Sequence, residues 1–186
     1  MNEKTMSTMI DKAALRKELL ALRAQFDPAA RAGADAAIGA RLLAWQADSG
    51  AGRIGVYWPL RGEPDLSLAY AELVLRGVQL ALPVVLERDA ALAFANWNPG
   101  EPMVRDKMGV AVPTALRIVA CPPALLVPCL GFNAGRYRLG YGGGFYDRTL
   151  APQPRPVSIG IAYACLQAQF ASAPHDIALD LMLTER

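Results

Sequence analysis

The sequence predicts an α/β fold, namely a three-layer α/β/α sandwich around a mostly parallel central sheet. Strand-like apolar runs alternate with segments of helical periodicity, an order typical of parallel sheets that helices cover on both faces. The composition agrees, because 53% of the 186 residues are hydrophobic and can supply a large buried core. We expect a single domain over residues 1–186, with residues 1–8 disordered.

The first predicted helix covers residues 10–26. Apolar residues recur there at helical spacing, among them Leu15, Leu19 and Leu22. Thr8 is followed three residues later by an aspartate, which resembles a weak capping pair. The stretch also lacks the apolar core of a signal peptide.

Two further helices carry clearer end signals. Asp27 is a candidate N-cap with Pro28 in the first helical position, and this helix is expected to end near residues 50–52. The segment LSLAYAELVLRG predicts the next helix, with Asp65 as candidate N-cap and Gly77 as the residue that follows its C-terminal cap.

Six apolar runs have the character of strands. They are RIGVYW (53–58), VQLALPVV (78–85), ALAFANW (91–97), ALLVPCL (124–130), PVSIGIAY (156–163) and IALDLMLT (177–184). A short charged turn separates the second run from the third, which predicts a hairpin or neighbouring strands. Residues 98–113 are rich in proline and glycine and predict a long surface loop of the kind that is usually functional or mobile.

Charge and cysteine content exclude several classes of function. The formal net charge is only +2 and the basic residues are spread out, so neither a nucleic-acid surface nor a membrane surface is indicated. Cys121, Cys129 and Cys165 are odd in number and lack CxxC spacing, which argues against a disulfide framework or a zinc cluster. No stretch approaches the ~20 apolar residues that span a bilayer. We expect a cytoplasmic monomer that acts on small molecules.

The segment GFNAGRYRLGYGGGFYDR, residues 131–148, has the composition of a phosphate site. Glycines let backbone N–H groups approach an anion closely, and a helix that begins near Phe145 would add partial positive charge. Arg136 and Arg138 could donate to phosphate oxygens, and Asp147 could hold Mg²⁺. The segment is neither a Walker A loop nor a dinucleotide fingerprint, and glycine content alone favours a tight loop without a ligand. The flanking arginines, tyrosines and aspartate, which directly follow a buried strand, reverse that preference and favour a phosphate site.

The segment LVPCLGFNAGRYRLGYGGGFYDR resembles the signature of the 5-formyltetrahydrofolate cyclo-ligases, also called 5,10-methenyltetrahydrofolate synthetases. The motifs KAALR, YWPLRGEPD, LPVV, FANWNPGEP and SAPHDIALDLMLTER extend the resemblance over almost the whole chain in the family's order. It implies a sandwich like that of the NagB, RpiA and CoA transferase proteins. It also implies that ATP and Mg²⁺ are used to convert 5-formyltetrahydrofolate to 5,10-methenyltetrahydrofolate, with release of ADP and phosphate.

The resemblance implies an ATP site at the N-terminal basic pair and the glycine-rich segment. The matching residues are Lys12, Arg16, Arg138, Leu139, Gly140, Tyr141, Gly142, Gly143, Gly144, Phe145 and Tyr146. Arg138 and Tyr146 are the implied catalytic residues. Lys12 and Arg16 lie four positions apart, so they share one helix face and could reach one polyanion, although a solvated surface pair has the same spacing.

The implied folate site overlaps the ATP site. Its matching residues are Arg16, Trp58, Glu63, Tyr141, Gly142, Gly143, Gly144 and Phe145. A glutamate suits the N–H edge of a pterin, and aromatic side chains can stack on its ring. Local sequence alone would equally allow Glu63 to be exposed near a turn and Trp58 to belong to the core.

Asp147 and Asp176 are the implied Mg²⁺ ligands, a number that suits a metal held mainly by phosphate oxygens and water. In the family reaction the formyl oxygen attacks the γ-phosphate of ATP, and N10 then displaces the phosphate to close the ring. No protein nucleophile is required. The only histidine, His175, receives no role in proton transfer.

Two residues depart from the family pattern. Phe145 stands where many relatives carry tyrosine, and Val112 stands where a glutamate is often found. Two other functions remain open, namely a nucleotide-binding relative that acts on a different formylated substrate and a binding module without catalysis.

Overall fold

The computed structural model describes residues 11–186, so the expectations for residues 1–8 and for Thr8 as a cap lie outside it. The helices are α1 (Lys12–Ala24), α2 (Pro28–Ser49), α3 (Ser67–Leu75) and α4 (Phe145–Leu150), with a short 3₁₀ helix at Ala164–Leu166. The strands are β1 (Arg53–Gly55), β2 (Gln79–Val84), β3 (Ala93–Trp97), β4 (Met103–Arg105), β5 (Ala111–Pro113), β6 (Ile118–Val119), β7 (Ala124–Pro128), β8 (Gly131–Phe132), β9 (Arg138–Leu139), β10 (Val157–Ile161) and β11 (Leu181–Leu183).

The central sheet is mostly parallel, as predicted. Its seven strands lie in the order β11-β10-β7-β1-β2-β3-β6. The strands from β11 to β2 pair in parallel, whereas β3 pairs antiparallel with β2 and β6 antiparallel with β3. The hairpin predicted for the second and third runs is therefore confirmed. Because β1, β2 and β7 are parallel neighbours, their carboxyl ends meet at one edge of the sheet.

Helices cover both faces of this sheet. Alternate residues of a strand point to opposite faces, so in β2 Leu80 and Leu82 pack in the cluster that contains α1, α2 and α3 residues. Ala81 packs in the opposite cluster, which includes Leu150 at the end of α4. The three-layer sandwich is therefore confirmed.

The helix ends follow from their capping residues, with one correction. The Oδ2 of Asp27 accepts the N–H of Ala30 at 2.9 Å, and Gly50 closes α2 in the left-handed region, as predicted. The prediction of Asp65 as N-cap of α3 was wrong, because the N-cap position is held by Leu66. Asp65 instead accepts the N–H of the first helical residue at 2.9 Å in a turn before the helix. Gly77 follows the C-cap with a φ of 83°, as predicted.

Residues 98–113 contain a hairpin where a long loop was predicted. Strands β4 and β5 pair antiparallel there, and Val112 is buried against Val84 and Ala95. The sequence did not indicate this hairpin, because its strands have only three residues each and lie among prolines, glycines and charged residues. The strand predicted over residues 177–184 was too long, because only Leu181–Leu183 form β11. Within residues 11–186, no helix has the length and apolar character that crossing a membrane requires.

Candidate functional site

A cavity of about 410 Å³ lies beyond the carboxyl ends of the parallel strands. Trp58 follows β1, Val85 follows β2 and Pro128 ends β7, and all three line the cavity. This edge is where open α/β sheets bind ligands, because the loops that leave neighbouring strands enclose a crevice there.

The cavity brings together every site residue that the family resemblance implied. They are Lys12 and Arg16 of α1, Trp58 and Glu63 of the loop after β1, residues 138–147, and Asp176 near the C-terminus. These segments are far apart along the chain, so their convergence is a property of the fold and not of local sequence. The expectation that Arg136 donates to phosphate was wrong, because Arg136 does not line the cavity and its Nη1 donates to the carbonyl of Asp180 at 2.9 Å.

Residues 140–144 of the glycine-rich segment form a loop between β9 and α4, called the glycine loop below, and α4 begins at Phe145 as predicted. Gly142 and Gly144 have φ values of 99° and 65°, a region in which a side chain is strained. The carbonyl of Gly140 accepts the Nε–H of Arg16 at 2.8 Å, which ties the loop to α1. The loop backbone therefore turns tightly beside the cavity and is fixed to α1.

Arg148 supports this loop from its far end, although the sequence analysis gave it no role. Its Nη2 donates to the carbonyl of Gly143 at 2.6 Å and its Nε donates to the carbonyl of Ala90 at 3.1 Å. Its guanidinium also lies 5.2 Å from the centre of the Phe145 ring. Phe145 lacks the hydroxyl of the tyrosine found in many relatives, but its ring is still held by a cation–π contact with Arg148.

Two ion pairs line the cavity. The Nη2 of Arg138 is 2.6 Å from the Oδ2 of Asp147, and the Nζ of Lys12 is 2.7 Å from the Oδ2 of Asp176. Burial by itself raises the pKa of Asp176, but the N–H of Ala173 and the Lys12 ammonium outweigh it, so the pKa is lowered overall. Each carboxylate that was predicted to bind Mg²⁺ thus forms an ion pair with a basic side chain that was predicted to bind phosphate.

These residues fit a magnesium–phosphate ligand. The side chain of Arg138 is only 8% exposed, and its buried Nε has no hydrogen-bond partner within residues 11–186. An unpaired buried donor of this kind is costly unless an acceptor reaches it. Asp147 and Asp176 supply only oxygen ligands, which Mg²⁺ prefers, and the part of the chain described contains no cluster of three or more metal-binding side chains.

The cavity is also lined by a buried carboxylate, that of Glu63. Glu63 is 4% exposed, so the possibility that it lies exposed near a turn is wrong. Its Oε1 accepts the hydroxyl of Tyr141 at 2.7 Å and its Oε2 accepts the N–H of Leu60 at 2.9 Å. Burial raises the pKa of Glu63, and these two hydrogen bonds oppose the rise. Trp58 is partly buried and packs edge-on against Trp97 at 6.0 Å, so it contacts both the core and the cavity.

The sequence analysis missed a set of apolar residues that also line the cavity, called the apolar wall below. Its main residues are Leu60, Pro83, Val85, Leu92, Met108 and Val110. Met108 and Val110 lie in the turn of the β4–β5 hairpin, where the Oδ1 of Asp106 accepts both of their N–H groups at 2.9 Å. An Asp two and four residues before such N–H groups was the one local signal for this turn.

The remaining expectations concern residues at the margin of the site. His175 lines the cavity, its side chain is 80% exposed, and its Nε2 lies 3.7 Å from Asp176 Oδ1. Val112 packs in the core and does not line the cavity. The departure at Val112 therefore removes no polar group from the site.

Comparisons with known proteins identify what this arrangement is similar to. The model of the 5-formyltetrahydrofolate cyclo-ligase family matches residues 8–185. The 5-formyltetrahydrofolate cyclo-ligase of Mycoplasma pneumoniae is 29% identical over 181 residues, which cover 95% of this chain and 99% of the relative. The enzyme of the same name from Mycolicibacterium smegmatis is 31% identical over 142 residues, which cover 70% of this chain and 72% of the relative.

Solved structures give the same result. The 5,10-methenyltetrahydrofolate synthetase of Mycoplasma pneumoniae superimposes with a TM-score of 0.75 at 27% identity, covering 95% of this chain and all 100% of that one. The synthetase of Aquifex aeolicus superimposes with a TM-score of 0.80 at 26% identity, covering 94% of this chain and 90% of that one.

Proposed function

Because this chain belongs to the 5-formyltetrahydrofolate cyclo-ligase family, we propose that its cavity converts 5-formyltetrahydrofolate to 5,10-methenyltetrahydrofolate with ATP and Mg²⁺. The observation that carries this proposal is that one cavity is lined by two ion pairs of basic and acidic side chains, by a buried glutamate and by an apolar wall. ATP binds at the ion pairs and the folate at Glu63, so that the γ-phosphate and the formyl group meet within the same cavity.

The ATP phosphates bind the basic side chains of α1 and β9 and the backbone of the glycine loop. Lys12, Arg16 and Arg138 carry charged donors, and such donors form the strongest hydrogen bonds to phosphate. The unpartnered Nε of Arg138 is a donor that a phosphate oxygen would satisfy.

Asp147 and Asp176 would hold Mg²⁺, because both line the cavity and supply carboxylate oxygens. Each is paired with a basic side chain, Arg138 or Lys12, that phosphate oxygens would also attract. Bound there, Mg²⁺ would neutralise negative charge on the phosphates.

The folate binds with its pterin on Glu63. Each carboxylate oxygen accepts one protein hydrogen bond and retains a second lone pair, so two parallel N–H donors of a pterin can still bind. The aromatic rings of Trp58, Tyr141 and Phe145 provide stacking surfaces, and the apolar wall suits the aminobenzoyl group.

The reaction then needs alignment and charge stabilisation more than a protein nucleophile. The formyl oxygen attacks the γ-phosphorus, the bond to the bridging oxygen breaks, and ADP leaves. N10 attacks the formyl carbon, the carbon–oxygen bond breaks, phosphate departs and N10 loses its proton. Arg138 stabilises the phosphate charge. Its guanidinium lies 5.4 Å from the Tyr146 ring, and burial raises the pKa of Tyr146, so this hydroxyl stays protonated and can donate.

The direct test mixes the purified protein with 5-formyltetrahydrofolate, ATP and Mg²⁺. We expect the near-ultraviolet absorption band of the methenyl product to appear in proportion to the ADP released. A non-hydrolysable ATP analogue is the control and is expected to give no band. If 5-formyltetrahydrofolate gives no band but another formylated compound causes ADP release, the proposed substrate is wrong. If neither the methenyl band nor ADP release is seen, the proposal that the protein is an enzyme is contradicted.

A further inference from the structure

A buried arginine lies behind the site and was not predicted to belong to it. Arg23, near the end of α1, is 0% exposed. Its Nη2 donates to the hydroxyl of Tyr141 at 2.5 Å, and its guanidinium lies 5.7 Å from the centre of that ring. Its Nε and Nη1 are buried without hydrogen-bond partners among residues 11–186. It does not line the cavity.

The charge of Arg23 needs a counter-charge. A guanidinium does not lose its proton in a protein, and a buried charge without compensation costs several kcal/mol. Within residues 11–186 Arg23 forms no direct ion pair. The carboxylate that it reaches is Glu63, through the hydroxyl of Tyr141, which accepts from Arg23 and donates to Glu63 Oε1 at 2.7 Å.

Tyr141 is suited to this bridging position. Burial and the neighbouring Glu63 raise its pKa to about 12, so the hydroxyl keeps the proton that it donates. A hydroxyl that accepts from a cation also becomes a better donor, because hydrogen bonds in a chain polarise one another.

The backbone around Tyr141 does not fix the ring by itself. Gly140 precedes it and Gly142 follows it, and glycine is the least restrictive residue for the backbone. Arg61 lies 5.4 Å from the ring but is an exposed loop residue. The buried contacts of Tyr141 are Glu63 and Arg23, and Arg23 belongs to a helix of 13 residues. Arg23 therefore holds the Tyr141 hydroxyl from α1.

We propose that Arg23 is a positioning residue which, through the hydroxyl of Tyr141, holds the Glu63 carboxylate in the orientation that the pterin requires and so sets the affinity for the folate. This inference rests on the proposed function, because the pterin is its ligand. The glycine loop would then contribute to folate binding as well as to ATP binding, because Tyr141 connects the loop to the Glu63 carboxylate.

The test is a double-mutant cycle on Arg23→Gln and Tyr141→Phe, with folate affinity measured by calorimetry in the absence of ATP. Each single variant is expected to weaken 5-formyltetrahydrofolate binding about tenfold, as for the loss of one hydrogen bond to a charged group. The double variant is expected to bind the folate no more weakly than the single variant with the lower folate affinity, because both changes break the same chain of hydrogen bonds. Arg23→Gln is expected to change ATP affinity less than about twofold.

Arg155→Gln is the matched control. Arg155 is partly buried, its Nη2 donates to Asp180 Oδ1 at 2.6 Å, and it lies outside the cavity. Its loss is expected to lower the melting temperature and to leave folate affinity unchanged. If Arg23→Gln does not fold, Arg23→Lys replaces it, and this variant is expected to retain folate affinity within about threefold because the charge remains.

Two results would overturn the inference. Independent effects that multiply to about a hundredfold in the double variant would show that Arg23 does not act through Tyr141. A loss in Arg23→Lys as large as that in Tyr141→Phe would show that packing matters and charge does not. If the wild-type protein does not bind 5-formyltetrahydrofolate at all, the proposed function fails and this inference fails with it.

Discussion

Replacing Asp147 with asparagine is expected to lower the rate of methenyl formation by about 10²- to 10³-fold, which is the usual loss when one group that stabilises transition-state charge is removed. Asp147 has two proposed duties, since it pairs with Arg138 and contributes an oxygen ligand to Mg²⁺. An asparagine keeps the size and one acceptor but loses the charge. Stopped-flow absorbance at several Mg²⁺ concentrations measures the effect.

Asp180→Asn is the matched control for this prediction. Asp180 also accepts from an arginine, Arg155, at 2.6 Å, but it joins β10 to β11 and does not line the cavity. The control is expected to lose stability without losing turnover at saturating substrate. Wild-type turnover in Asp147→Asn at every Mg²⁺ concentration would remove Asp147 from the metal site.

Replacing Glu63 with glutamine is expected to weaken folate binding about a hundredfold and to leave ATP affinity within about twofold. The new amide N–H₂ would face the N–H donors of the pterin, and one acceptor of the pair would be lost. Calorimetric titrations with each substrate separate the two effects. Equal losses for ATP and folate would indicate a general distortion of the cavity and would contradict the assigned role.

The pH dependence of folate binding gives a second readout of Glu63. Burial raises the pKa of Glu63 above that of an exposed glutamate, so as the pH falls its carboxylate is protonated at a higher pH than an exposed one would be. The protonated form accepts fewer hydrogen bonds, and folate affinity is therefore expected to fall through that raised pKa. The glutamine variant has no titrating group at this position and is expected to lose this acid limb.

The glycine loop could be predicted from the sequence because its properties are local. Glycine permits the positive φ values found at Gly142 and Gly144, and the helix that begins at Phe145 follows the loop directly. The central strands were predictable for a related reason, since long apolar runs have few alternatives to burial. The hairpin formed by β4 and β5 was missed because strands of three residues carry little periodic signal.

The pairings within the site could not be predicted, because they join distant parts of the chain. Lys12 and Asp176 are 164 positions apart, and Tyr141 and Glu63 are 78 apart. Nothing in the local sequence of Arg23 distinguishes it from a solvated helix arginine. Its burial depends on how α1 lies against the glycine loop, and only the assembled fold shows this.

The central claim is that the formyl oxygen of the folate attacks the γ-phosphate of ATP within this cavity. The most direct measurement uses 5-formyltetrahydrofolate with an isotopic oxygen label in its formyl group, followed by mass analysis of the released phosphate. The account predicts that the label appears in the phosphate in a one-to-one ratio with the methenyl product, because the carbon–oxygen bond is the one that breaks. Unlabelled phosphate formed together with the methenyl product would contradict it.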